Sequence, residues 1–160
     1  MISPTLSELG VQAGALLKAR GDTIAVAEGA AGGLVSAALL AVPGASAYYL
    51  GGTVIYTAAA HRGFLAGAIE TPAGLRGATE TFAQYLAEAV AVRLGATWGL
   101  AEAGAAGPPN RYGDPAGHAW VAVAGPVVAT NHVLTGTDDR EANMIAFAEA
   151  ALALLVKALR

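Results

Sequence analysis

The sequence contains no cysteine and few charged residues for its length. The absence of cysteine excludes disulfide bonds, thiolate zinc sites and cysteine nucleophiles. Charged residues make up 13% of the 160 residues, and the formal net charge is −3. Because only Lys18 and Lys157 are lysines, no basic stripe is available to neutralise phosphates, and we do not expect nucleic acid as a partner. So few charges also favour an oligomer that hides apolar faces.

Long hydrophobic runs are also missing, although 55% of the residues are hydrophobic and many of these are alanine. No run reaches the roughly 18–20 apolar residues that a membrane span needs. The richest stretch, Met144 to Val156, contains Glu149 and predicts a buried helix. The first residues lack the basic and apolar regions of a signal peptide. We therefore expect a single domain over residues 1–160, cytoplasmic and without a membrane partner.

The stretch from Thr23 to Leu34, TIAVAEGAAGGL, predicts a buried strand, a glycine-rich turn and the start of a helix. Such a turn aims several backbone N–H groups and the helix dipole at one point, which favours a bound anion. The ligand-binding candidates in this turn are Gly29, Ala30, Ala31, Gly32 and Gly33. The alternative is a plain strand-to-helix turn whose glycines only permit tight packing. The stretch fits neither the dinucleotide-binding nor the P-loop pattern.

The remaining chain predicts alternating helices and strands. Ser3-Pro4 begins a helix that ends near Gly21, and further helices are predicted at 34–40, 57–66 and 79–94, and from a cap at Thr137-Asp138 to residue 159. Strands are predicted at 48–56, 97–103, 118–124 and 127–134, the last two forming a hairpin. Strand–helix units followed by a hairpin predict an α/β sandwich with a mostly parallel sheet.

A small-molecule pocket is expected at the carboxyl edge of this sheet, where ligands bind in open α/β folds. The turn at 28–33 and the long loop at 104–114 both follow strands and meet at that edge. Loops of this length are usually functional or mobile. This region adds the ligand-binding candidates Ala103, Gly104, Gly107 and Arg111. Arg111 either pairs with a phosphate or is simply solvated.

Three motifs occur in order over nearly the whole chain: AEGAAGGL at 27–34, VPGASAYYLGGTVIY at 42–56 and AGAAGP at 103–108. With the pair Asp139-Arg140 before the last helix, they resemble the C-terminal domain of the CinA competence/damage-inducible proteins, a family that includes nicotinamide mononucleotide deamidases. The resemblance implies a three-layer α/β/α sandwich with a five-stranded mixed, mostly parallel sheet and one antiparallel strand, commonly as a homodimer. It also implies a pyridine mononucleotide or another phosphate-bearing small molecule as ligand, and no cofactor.

The catalytic positions depart from the family pattern. In active relatives the serine of A-E-S-C-T-G-G attacks the carboxamide carbon, assisted by a lysine and a tyrosine. The corresponding positions here are Gly29, His61 and Tyr56, and two threonine positions are Ala31 and Ala103. Loss of the nucleophile alone lowers kcat on the order of a millionfold in a serine protease. The resemblance therefore implies a homologue that keeps the pocket and loses the deamidase reaction.

Three classes of function remain open at this point: a binding module for a nucleotide or a protein, a weak amidohydrolase, and a dimeric scaffold with a vestigial pocket. In the hydrolase, His61 would act as general base for a water, beside Tyr56 and Glu28. Alternatively, His61 is a pocket-edge histidine, and Glu28 is solvated or bonded to turn amides. The three histidines, His61, His118 and His132, lack metal-ligand spacing, so no metal is expected.

Overall fold

The computed structural model, which describes residues 2–160, contains five strands and five α-helices. In chain order they are α1 (Pro4–Arg20), β1 (Ile24–Glu28), α2 (Leu34–Leu40), β2 (Tyr49–Val54), α3 (Ala58–Phe64), α4 (Glu80–Leu94), β3 (Trp98–Ala105), β4 (His118–Ala124), β5 (Ala129–Leu134) and α5 (Arg140–Leu159). All ten elements were predicted from the sequence, with boundaries that differ by a few residues.

Local capping signals set the helix boundaries. The Ser3 hydroxyl accepts a hydrogen bond from the Leu6 N–H at the start of α1, and Thr79 caps α4 in the same way. Gly21 ends α1 with a φ of 67°, a left-handed conformation that glycine adopts without strain. The cap of α5 lies one residue later than predicted. It is Asp139, whose carboxylate accepts a hydrogen bond from the Ala142 N–H.

The strands form one sheet in the order β2-β1-β3-β4-β5. Strand β1 pairs in parallel with β2 and β3, whereas β4 runs antiparallel to both β3 and β5. Four strands therefore point the same way and β4 alone is reversed, which confirms the predicted mixed sheet. In the parallel register Glu28 lies directly beside Glu102.

Helices cover both faces of the sheet and complete the predicted three-layer sandwich. One core cluster joins α1, α2 and α5 to the sheet, and a second joins α4 to the opposite face. On that second face a Cβ added to Gly99 would lie 1.8 Å from the Ala87 carbonyl oxygen, so α4 rests directly on the β3 backbone. Helix α5 is long and apolar enough to cross a membrane, but residues such as Phe147 and Leu152 are fully buried against the sheet, as in a core helix.

Candidate functional site

The carboxyl ends of β1, β2 and β3 meet at one edge of the sheet, where Arg140 joins three parts of the chain. Its Nη2 donates to the Tyr56 hydroxyl at 3.0 Å, and its Nη1 donates to the Gly107 carbonyl. Tyr56 is 64% exposed and Arg140 is also exposed. A guanidinium has five N–H donors, and these two hydrogen bonds use only part of them.

Gly29 lies between the ends of these three strands. A Cβ placed on Gly29 would be 3.3 Å from the Glu102 carbonyl oxygen and 3.6 Å from the Ile55 carbonyl oxygen. Its φ lies outside the left-handed region, so the backbone itself admits a side chain. The position at which the family pattern has its nucleophile therefore carries no side chain, and a small one would require the Glu102 backbone to shift by a few tenths of an ångström.

Glu28 is buried and caps α2. Its Oε1 accepts from the N–H groups of Gly33 and Val35 at 3.1 and 2.9 Å, and its Oε2 accepts from the Ser36 N–H at 2.9 Å. Among residues 2–160, no hydrogen bond connects it to His61. The proposed orientation of His61 by Glu28 is therefore corrected, and Glu28 takes the other role considered for it, that of a turn carboxylate bonded to amides.

Glu102 is fully buried and occupies the inner side of the turn. Its Oε2 accepts from the N–H groups of Gly29 at 3.0 Å and Ala31 at 2.7 Å, whereas its Oε1 has no hydrogen-bond partner. Burial raises the pKa of Glu102 to about 7, and the nearby Glu28 carboxylate adds to that rise, while the turn amides oppose it.

These contacts correct the predicted anion site at the turn. The amides that were assigned to an external anion donate to Glu28 and Glu102. Ala30, Ala31 and Ala103 were also predicted to contact a ligand, but these residues belong to the core, since none of them is more than 6% exposed. Only Gly32 of the turn is well exposed, with Gly33 half-buried. An anion at this edge would therefore have to bind side chains, and Arg140, which is hydrogen-bonded to Tyr56, is a cation placed there.

His61 contacts a residue that the sequence did not indicate. Its Nε2 lies 2.6 Å from the hydroxyl of Tyr85, a side chain only 3% exposed, and the Thr71 hydroxyl lies 3.3 Å from the same oxygen. Tyr56 instead bonds to Arg140. The predicted grouping of His61 with Tyr56 and Glu28 is therefore not formed by any hydrogen bond in residues 2–160.

The long loop after β3 is held in place by Asp114. Its Oδ2 accepts from Arg76 Nη1 and Asn110 Nδ2, both at 2.8 Å, and these hydrogen bonds lower the pKa of Asp114. Arg111 is exposed and donates to the Tyr112 hydroxyl next to it. The structure thus connects the loop to the segment before α4 and places Arg111 on the surface of the loop.

Two histidines that are distant in sequence lie together on the sheet. His118 Nδ1 is 2.7 Å from His132 Nε2, and His118 Nε2 is 2.8 Å from the Ala78 carbonyl oxygen. Within residues 2–160 no group of three or more His, Asp or Glu side chains is placed to hold a metal ion.

A separate groove of about 450 Å³ lies at the opposite edge of the sheet, between α4 and the β4–β5 connection. Glu88 is its one charged lining residue, next to Gln84, Val123 and Val128. It contains neither the motif residues nor a base paired with a nucleophile, so the carboxyl edge remains the candidate site.

Sequence reasoning missed Glu102 and the role of Arg140. Glu102 is the one charged residue within the apolar strand from Trp98 to Ala105, and that placement was an available signal. Arg140 was noted only as part of a motif. Its contacts with Tyr56 and Gly107 depend on tertiary packing, which no local pattern reports.

Comparisons with known proteins show the family of the chain. Residues 6–159 match the family model described as the CinA C-terminal domain. A CinA-like protein from Salinibacter ruber (strain DSM 13855 / M31) is 40% identical over 141 residues, which is 87% of this chain and 34% of the relative. A CinA-like protein from Prochlorococcus marinus (strain MIT 9313) is 39% identical over 112 residues, 69% of this chain and 26% of the relative. The chain thus spans about a quarter to a third of the length of these relatives.

Solved structures share the whole fold. The crystal structure of a competence-damaged protein (CinA) superfamily protein from Klebsiella pneumoniae 700603 aligns with a TM-score of 0.87 at 31% identity, covering 96% of this chain and 97% of that one. A competence/damage-inducible protein from Agrobacterium tumefaciens aligns with a TM-score of 0.88 at 26% identity, covering 99% and 98%.

Proposed function

The chain belongs to the CinA C-terminal domain family, and we propose that it is a catalytically inactive member that binds a phosphate-bearing small molecule, with a pyridine mononucleotide as the first candidate. The observation that carries the proposal is Gly29. It lies where three strand ends converge, and it has no side chain with which to attack a carboxamide.

The surrounding side chains support binding without hydrolysis. Glu28 has both oxygens bonded to amides of α2, and the His61 imidazole is bonded to a buried phenol. Glu28 is thus engaged with backbone amides, and among residues 2–160 no hydrogen bond joins His61 to Glu28 or Tyr56, so the grouping that would activate a water beside Gly29 is not formed. For this reason we do not favour the alternative of a weak, water-mediated deamidase that uses His61 and Glu28.

The remaining polar groups suit recognition of an anion. Arg140 presents a guanidinium in the cleft, and Tyr56 presents a hydroxyl beside it. Guanidinium groups bind phosphate oxygens in a bidentate geometry. The phosphate would then lie against Arg140, outside the turn whose amides are already bonded within the protein.

The test is calorimetric titration with nicotinamide mononucleotide, combined with an assay for ammonia release. We expect saturable binding, at least a tenfold weakening for Arg140→Gln, and ammonia release equal to that of buffer. The control is Arg160→Gln, an exposed arginine at the end of the chain whose loss should leave binding unchanged.

Turnover near 10 per second, typical of ordinary enzymes, would refute the proposal. Absence of binding by this and other pyridine and adenine nucleotides would instead favour a protein-binding module or a scaffold with a vestigial pocket.

We further propose a homodimer in the cytoplasm. In support, charged residues are few, and the edge strand β2 exposes Leu50 and Val54, with Phe64 exposed on α3. Light scattering that gives 15.8 kDa at all concentrations would refute the dimer.

A further inference from the structure

Glu102 supports the turn of the candidate site from inside the core. One of its oxygens accepts two turn amides, Gly29 N–H at 3.0 Å and Ala31 N–H at 2.7 Å. The side chain is fully buried, and its other oxygen, Oε1, has no partner. These two amides belong to residues that are 73 and 71 positions away in sequence, so the carboxylate is a tertiary support for the turn.

A proton on this carboxyl would change the hydrogen bonds of the turn, on whichever oxygen it is placed. On Oε2 it would occupy a lone-pair direction that the two N–H donors use, and it would weaken both hydrogen bonds. On Oε1 it would be an O–H donor without an acceptor in an apolar environment, and Oε2 would become a weaker, neutral acceptor. Either way, protonation weakens the contacts that hold the turn.

We propose that Glu102 is a positioning residue whose negative charge holds the turn between β1 and α2, so that the turn and the site above it change conformation when this carboxyl takes up a proton. The chain thereby contains a pH-sensitive device that works without any ligand.

The surroundings of Glu102 bring the protonation change close to neutral pH. Burial raises its pKa to about 7. Glu28 on β1 is the charged side chain beside it, and it adds to the rise. Val121 faces it on β4, and α5 presents the uncharged Met144 to the turn, so no cation among residues 2–160 is placed to compensate.

NMR of the intact chain over pH 5–9 tests this proposal. We expect the amide signals of Gly29 and Ala31 to shift with one common midpoint near pH 7. The methyl of Met144 lies 3.1 Å from a Cβ placed on Gly32, so its signal should shift with the same midpoint if the turn itself moves. With only two methionines in the chain, that signal is readily assigned.

Two variants and one internal reference separate a positioning role from a purely structural one. Glu102→Gln keeps an acceptor oxygen and removes the charge, so all three shifts should disappear. Glu141→Gln, which changes an exposed carboxylate on α5, should retain them. The amides of Gly33 and Ser36 bond to Glu28 and should not follow the Glu102 midpoint.

The proposal is overturned if the Gly29, Ala31 and Met144 signals stay flat over this range in the unmodified chain. It is equally overturned if their titration persists in Glu102→Gln. The first result needs no variant, so the test holds even if Glu102→Gln does not fold.

Discussion

Replacing Glu102 by glutamine should make the stability of the protein much less dependent on pH. The folded protein binds a proton at Glu102 with a pKa of about 7, against an ordinary value of 4.5. The folded state therefore holds more protons than the unfolded state between these values, and stability is lost as pH rises through them. At about 1.4 kcal/mol per pH unit, the loss is roughly 3 kcal/mol by pH 8.

The assay is urea unfolding of both proteins at intervals between pH 4 and 8. The difference in free energy of unfolding between Glu102→Gln and the unmodified chain should change by about 3 kcal/mol in favour of the variant as pH rises. The glutamine amide adds a constant cost because its NH₂ group also lacks a partner, so the slope with pH is the quantity to compare. Parallel stability curves for the two proteins would refute the reasoning, and Glu141→Gln serves as the surface control.

Three further predictions concern other parts of the fold. Gly29→Ser alone should release no ammonia from nicotinamide mononucleotide. A folded variant that carries the whole family set, Gly29→Ser, Ala31→Thr, His61→Lys and Ala103→Thr, should release ammonia measurably, because the effects of residues that act as a unit are not additive. A quadruple variant that binds the nucleotide yet stays inert would contradict this prediction. Gly99→Ala should lower the free energy of unfolding, measured by the same urea titration, by about 3 kcal/mol or more, since its Cβ would lie 1.8 Å from the Ala87 carbonyl oxygen. The control is Gly63→Ala in α3, which has open space around it and should be neutral or slightly stabilising. Asp114→Asn should lower the free energy of unfolding by about 1–2 kcal/mol at pH 7 and should reduce the loss of stability below pH 4. The reason is that the hydrogen bonds from Arg76 and Asn110 lower the pKa of Asp114, and their contribution disappears when this carboxylate is protonated. If the stability of the variant falls below pH 4 as steeply as that of the unmodified chain, this prediction is wrong.

The outcome of a restoration experiment depends on Glu102 as well as on the missing side chains. Its carboxylate accepts from the N–H groups of Gly29 and Ala31, the positions at which serine and threonine would be introduced. A variant that keeps Glu102 therefore tests whether this support is compatible with hydrolysis. Adding Glu102→Val to the set is the informative next step, since it removes the buried charge beneath the turn.

The order of the elements and the layered architecture could be predicted from local sequence patterns. Apolar runs with β-branched residues marked the strands, and Ser3, Thr79 and Gly21 marked helix ends, because capping and periodicity act over a few neighbouring residues. The three glycine-rich motifs likewise indicated the family, since they are short contiguous patterns with fixed order.

The contacts of the site residues could not be predicted in this way, because they join segments that are far apart in the chain. The sequence allowed Glu28 to orient His61, but the Glu28 carboxylate accepts a hydrogen bond from α2. His61 is instead hydrogen-bonded to Tyr85, 24 residues further along the chain. The turn amides likewise look available in sequence and are occupied by Glu102, 73 residues beyond Gly29. A hydrogen bond depends on distances of about 3 Å between particular atoms. Such distances between segments far apart in sequence exist only once the whole sheet and its helices have packed.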